Sequence, residues 1–173
     1  PFCFLMDASM LGVGVGFDTK GAGKLVLKGP NPSRRDEEFQ IPDTREGWVE
    51  SLRLLLDSYA LGTGRLVFDY SLIREEGAPI RGFGGESSGP APLVELFQFC
   101  IQKFKGAKGR RLFPIECHDL MCKIGEVVVV GGVRRSALIS LSNLGDDQMR
   151  HAKSGQWWEN EGQRALANNS VAF

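Results

Sequence analysis

No apolar run in this 173-residue chain approaches the ~18 residues a membrane helix needs; the longest candidate is the four valines Val127 to Val130. A membrane-crossing helix is excluded. Neither sign of charge is in excess, since 21 Lys+Arg balance 21 Asp+Glu and the pI is near 7.2. There is then no bulk attraction to nucleic acid or to an acidic membrane surface, and any anion must be held by local arrangement. Histidine is scarce: His118 lies between Cys117 and Asp119, His151 in a polar stretch, and neither has a partner fixed by spacing, which is weak evidence for catalysis. The four cysteines, Cys3, Cys100, Cys117 and Cys122, lack metal-ligand spacing. In a chain this long they read as reduced, partly buried thiols of a cytosolic protein, not as a disulfide scaffold. No metal ligand and no catalytic residue is assigned, and no internal repeat or low-complexity segment is present.

What is there is a hydrophobic share of 42%, enough for one globular domain with a real core, so intrinsic disorder is excluded. Glycine is the compositional outlier: 22 residues is nearly twice the roughly 7% of ordinary proteins, and they cluster in loops. The chain begins at Pro1 directly before the apolar FCFLM and stops at Ser170-Val171-Ala172-Phe173, a strand-like run. Termini are normally polar, so the expectation is an internal piece of a longer protein.

Helical and β patterns alternate. Pro1 to Met10 reads as a helix closing on a loop, GVGVGF, at Gly12 to Phe17. Lys24 to Lys28 and Glu38 to Ile41 read as strands of a protruding hairpin across the polar turn GPNPSRRDE, so residues 24–43 are expected to form a short insertion or hairpin. Asp43 is expected to cap a helix through a capping box with Glu46; Trp48, Leu52, Leu55 and Tyr59 follow at helical spacing, and Gly62 lies past the end. Arg65 to Tyr70 reads as β, Leu93 to Phe104 as a helix opened by Pro90 and Pro92, and Pro114 to Val130 as another helix. Val133 to Leu141 reads as a strand, Asp146 to Lys153 and Trp157 to Leu166 as helices, and Asn169 to Phe173 as the start of a strand. The alternation predicts an α/β fold with parallel pairing and ligands at the carboxyl ends of strands.

GVGVGF is not the dinucleotide fingerprint, which requires GxGxxG between a strand and a helix, so tight backbone packing is its simpler reading. In the long loop from Ser71 to Pro92, Arg74 and Arg81 flank Glu75, Glu76 and a Gly-Ala-Pro turn. GFGGESSGP then offers backbone N–H groups and hydroxyls before a helix N-terminus, a place suited to phosphate; the plainer reading is a solvated loop. Gly131-Gly132-Val133-Arg134-Arg135-Ser136 is the sharpest feature, two guanidiniums entering an apolar strand and calling for an anionic partner, either a ligand or a buried carboxylate. Trp157-Trp158 reads as core or interface, since no basic stripe accompanies it.

Five strings in order carry a resemblance: PFCFLMDASMLGVGVGF at the start, IPDTREGWV at Ile41 to Val49, GFGGESSGPAPL at Gly82 to Leu93, IGEVVVVGGVRRSALISL at Ile124 to Leu141, and NNSVAF at the end. Together they resemble the adenosylcobalamin-dependent ribonucleotide reductases over the whole chain, and PDTREGW favours the monomeric ribonucleoside-triphosphate reductase type. The resemblance implies that residues 1–173 are the first part of a ten-stranded α/β barrel. It implies reduction of ribonucleoside triphosphates to deoxyribonucleoside triphosphates by a cobalamin-generated thiyl radical, with adenosylcobalamin as cofactor of the full-length enzyme. A deoxyribonucleoside triphosphate effector, a thioredoxin-like reductant, a monomeric full-length enzyme and a cytoplasmic location are implied too, with no membrane and no direct nucleic acid partner. None of the four cysteines matches the family's reacting positions, so the chain alone is expected to be inactive.

By the same resemblance Gly131, Gly132, Val133, Arg134, Arg135 and Ser136 form the substrate-specificity loop, with Arg134 reaching the substrate. Asn168, Asn169 and Ser170 line the substrate pocket, and Arg74 and Arg81 meet the effector's phosphates. Residues 24–43 match the place where the monomeric enzymes carry an insertion imitating a dimer partner. A noncatalytic nucleotide-binding module using the same Gly/Arg loops is the alternative.

Overall fold

The computed structural model describes residues 1–81, 84–130 and 137–172. Phe2–Met10 is helix α1, which buries Leu5 and Met6. Its continuation is not a loop throughout: Val15–Asp18 is strand β1, with Val15 and Phe17 buried and Gly16 and Asp18 outward. The glycines obscured that alternation in the sequence. Gly16 permits close packing, since a Cβ there would lie 3.1 Å from Ile139 Cγ2.

The expected hairpin does not form. Glu37–Gln40 is strand β2, and its partner is β3, Leu66–Asp69, in parallel register from Glu37 opposite Leu66 to Gln40 opposite Asp69. Parallel pairing needs a crossover, and the crossover is helix α2, Arg45–Leu61, giving a β-α-β unit. Lys24 to Lys28 is held elsewhere. Leu27 is buried and its N–H donates to the Arg110 carbonyl at 3.0 Å, Lys28 N–H donates to the Tyr59 carbonyl at 2.9 Å, and Val26 makes an isolated antiparallel bridge to Arg111. The segment therefore lies along the C-terminal end of α2.

The cap of α2 also differs from expectation. Thr44, extended at φ −138°, is the N-cap and its hydroxyl accepts from Gly47 N–H at 3.0 Å, so Asp43 is left for another partner. Gly62 ends the helix in the left-handed region at φ 74°, where a side chain would be strained. Helix α3, Ala91–Gly106, opens at Pro90 and extends the expected span at both ends; α4 runs over Pro114–Val130 as the sequence indicated. Leu93, Leu96, Phe97, Leu120, Ile124 and Val128 from these helices are central to the core.

Strand β4, Leu138–Asn143, pairs in parallel with β1 on one side and with β5, Ala167–Ala172, on the other, giving a three-stranded sheet in the order β1-β4-β5. Between β4 and β5 the helical stretches are shorter than their patterns suggested. Asp147–Arg150 is a single α turn, α5, capped by Asp146, and Trp157–Glu159 and Gly162–Leu166 are 3-10 turns. Gly162 falls inside the second pattern, and Gly155, at φ 61°, separates the two. Helix α4 covers one face of the sheet so closely that a Cβ on Gly125 would lie 2.7 Å from Leu138 Cδ1. On the other face Ile139 and Leu141 are 43% and 36% exposed. The α/β class with parallel sheets is borne out.

Candidate functional site

One cavity of about 490 Å³ lies where three elements end. The start of α2 supplies Asp43, Thr44, Arg45, Glu46 and Trp48; the C-terminal ends of α1 and α4 supply Met10, Leu11, Val127 and Val128. The long loop closes it with Arg74, Ile80, Ser87 and Ser88. Its walls are mostly apolar, with Trp48 offering an aromatic surface and Arg74 a fixed charge, a combination that suits a flat ligand with an anionic end.

Arg74 is positioned from two sides. Its Nε donates to Asp43 Oδ2 at 2.5 Å and its Nη1 to the Pro79 carbonyl at 3.2 Å. Neither contact uses Nη2. Arg45 at the rim pairs with Asp7 of α1 and with Glu46, tying the start of α2 to α1.

The loop is less open than its composition suggested. Ser87 N–H donates to the Ala78 carbonyl at 2.8 Å, Gly84 N–H to the Ile80 carbonyl at 3.2 Å, and Gly89 N–H to Ser87 Oγ at 3.0 Å. Those amides are spent on holding the loop's own shape, so they do not form an anion cradle. The turn also fails to bring the two arginines together at the cavity: Arg74 lines it, whereas Arg81 is exposed and is not part of its wall. Gly131, Gly132, Val133, Arg134, Arg135 and Ser136 lie outside the described residues, on the connection from α4 to β4.

Strand β5 divides the three polar residues expected in the substrate pocket. In register, Asn168 stands opposite Ile139, Asn169 opposite Ser140, and Ser170 opposite Leu141. Strand alternation then places Asn168 and Ser170 on the open face with Ile139 and Leu141, and Asn169 on the face covered by α4. There Asn169 Oδ1 is 3.3 Å from His118 Nε2.

His118 is fully buried beside a charge network that spacing alone did not reveal. Its neighbour Asp119 receives Arg164 through Nε at 2.6 Å and Nη2 at 2.9 Å, and Lys103 Nζ at 3.3 Å; Lys103 also reaches Glu161 at 3.0 Å. Burial alone would raise the Asp119 carboxyl. The hydrogen bonds from Arg164 and His118 and the charges of Arg164 and Lys103 outweigh it and hold the group at about 2. Little in the sequence signals this pair, because Asp119 is one of three carboxylates in α4, with Glu116 and Glu126, and Arg164 lies 45 residues away.

Cys100 and Cys122 are buried, whereas Cys3 and Cys117 are half-buried. Burial pushes Cys100 and Cys122 up to about 12 and Cys117 up to about 11, and it also raises Cys3. Among the described residues no group of His, Cys, Asp and Glu is arranged to hold a metal ion, and no helix is long and apolar enough to cross a membrane.

The parallel sheets and the mostly apolar cavity at the start of α2 define an α/β protein with a concave candidate site. Comparison with known proteins is more specific. Residues 28–103 match the sequence model of the B12-dependent ribonucleotide reductase insertion domain. The chain is 43% identical, over its full length, to 24% of the adenosylcobalamin-dependent ribonucleoside-triphosphate reductase of Euglena gracilis. Against the enzyme of the same name from Levilactobacillus brevis the identity is 40%, covering 99% of this chain and 28% of that one. A crystal structure of a B12-dependent, class II ribonucleotide reductase superposes on the whole chain and on 28% of its own, with a TM-score of 0.81 and 29% identity. The chain is a relative of the B12-dependent, class II ribonucleotide reductases, and it spans about a quarter of their length.

Proposed function

We propose that this chain supplies the effector site and part of the substrate wall of an adenosylcobalamin-dependent ribonucleoside-triphosphate reductase. The complete protein reduces ribonucleoside triphosphates, acts as a monomer, responds to a deoxyribonucleoside triphosphate effector and takes its electrons from a thioredoxin-like reductant. The observation that carries this reading is the cavity. It joins the Arg74 loop to Val127 and Val128 at the end of α4, immediately before the Gly131 to Ser136 connection that leads into the substrate-wall strands. A ligand there touches the helix whose continuation holds Arg134.

In this reading the effector's base lies against Trp48 and the apolar wall, while its phosphates meet the Nη2 edge of Arg74. Asn168 and Ser170 face the substrate from β5. Among the described residues none of the four thiols lines the cavity, Cys100 and Cys122 being buried and Cys3 and Cys117 half-buried, so none is offered as a radical carrier. No step is assigned to this chain through that cofactor.

The test is calorimetric titration of deoxyribonucleoside triphosphates into the complete enzyme and its Arg74→Ala variant. A charge-assisted hydrogen bond is worth roughly 1.5 to 3 kcal/mol, so the variant should bind about one to two orders of magnitude more weakly. Arg81→Ala, which removes an exposed side chain outside the cavity wall, should bind within about fivefold of the parent, since exposed ionic contacts are worth at most about 1 kcal/mol. Unchanged affinity for Arg74→Ala places the effector elsewhere.

A further inference from the structure

We propose that His118 is a positioning residue, which through Asn169 fixes the strand that presents Asn168 and Ser170 to the substrate. This rests on the reading of the open sheet face as substrate wall. The imidazole is held from several sides. It is fully buried, its ring centroid is 6.1 Å from that of Phe17 in β1, Cys122 Sγ one helical turn away lies 3.7 Å from Nε2, and Nδ1 is 3.5 Å from Asp119 Oδ1. Asp119 is in turn clamped by Arg164 and Lys103. On its β5 side the ring's Nε2 meets Asn169 Oδ1 at 3.3 Å.

The contact falls on a row that crosses the whole sheet, Phe17 beside Ser140 beside Asn169. His118 therefore touches the two outer strands of the row at once. Strand side chains alternate, so pinning Asn169 to the α4 face holds Asn168 and Ser170 on the other, and a one-residue slip would exchange the faces. Among the described strands β5 is paired on one side only, so its position depends on such ties. Lys153 on the Ala167 carbonyl holds the beginning of the strand, and His118 holds its polar middle.

The experiment uses the complete enzyme with His118→Leu, Asn169→Ala, the double variant and His118→Gln, whose amide can still donate to Asn169. His118→Leu and Asn169→Ala should each raise the KM for ribonucleoside triphosphate about tenfold, the effect of one lost hydrogen bond, with kcat and effector affinity within about twofold of the parent. The double variant should be no worse than either single variant, and Gln should recover most of the loss. Hydrogen exchange at residues 168–170 should speed up in the same variants and recover with Gln, a readout independent of turnover. Effects that multiply in the double variant, a fall in kcat without a change in KM, or absence of Gln rescue would overturn the proposal. Asn169→Ala, which removes an exposed side chain, keeps the test open should His118→Leu not fold: an unchanged KM and unchanged β5 exchange in it refute the positioning role. A parent enzyme that does not reduce ribonucleotides, with β5 exchange responding as described, refutes the functional reading alone.

Discussion

Asp119 shows how a single side chain acquires weight from its surroundings. Its carboxyl is 2% exposed, receives two N–H groups from Arg164, and is held at about 2. The unfolded chain would titrate near ~3.9, so the folded state favours the carboxylate. The stability this contributes is fully present above about pH 4 and is lost as pH falls toward the folded value of about 2. A shift of that size corresponds to roughly 2 to 3 kcal/mol. Thermal melting of the complete protein and its Asp119→Asn variant should show a lower Tm for the variant at pH 7 and a gap that narrows below pH 4. A gap independent of pH would mean that the Arg164 pair does not carry this energy. His118 is the opposite case of legibility: nothing in its spacing pointed to Asn169, because the two are 51 residues apart and meet only when α4 lies on β5.

Helices were easier to read than strands because their signals are local. Pro114 to Val130 carried its own apolar repeat and Pro start, and Gly62 its own stop. Which strand pairs with which is decided by long-range contact, so the sequence around Glu38 to Ile41 points to the nearer Lys24 to Lys28, whereas the strand pairs in parallel with Leu66–Asp69. The start of α2 illustrates both limits. Asp43 and Thr44 are each good caps by composition, and only the packing of Arg74 on Asp43 decides for Thr44. Gly47 is the hidden constraint in that turn, since a Cβ there would lie 2.5 Å from the Pro42 carbonyl oxygen, a backbone atom with no rotamer to escape through. Gly47→Ala should therefore lower stability by about 1 to 3 kcal/mol in spite of alanine's better helix propensity. It should also weaken deoxynucleotide binding at the adjoining cavity, the proposed effector site. Melting curves and titration of the same variant check both, and a stabilised variant would show that Pro42 yields easily.

The chain as a whole has one finished side and one unfinished side. Helices α1 and α4 cover the first face of the β1-β4-β5 sheet, while the second presents Ile139 and Leu141 beside Asn168 and Ser170, and β1 and β5 each have only one strand partner among the described residues. A parallel sheet is ordinarily buried on both faces, and that is what relatives about four times longer could provide. The isolated 173-residue chain should thus associate through its strand edges and the apolar residues of the open face. Light scattering coupled to gel filtration should find concentration-dependent assemblies. Replacing Ile139 and Leu141 together with lysine should shift the distribution toward monomer, because charge on that face opposes stacking while leaving the α4 side untouched. Equal self-association of both forms would locate the sticky surface elsewhere, with Phe4 of α1, 68% exposed, the next to change. A parent chain that elutes as a monodisperse, cooperatively melting monomer at every concentration would show that the open face needs no cover.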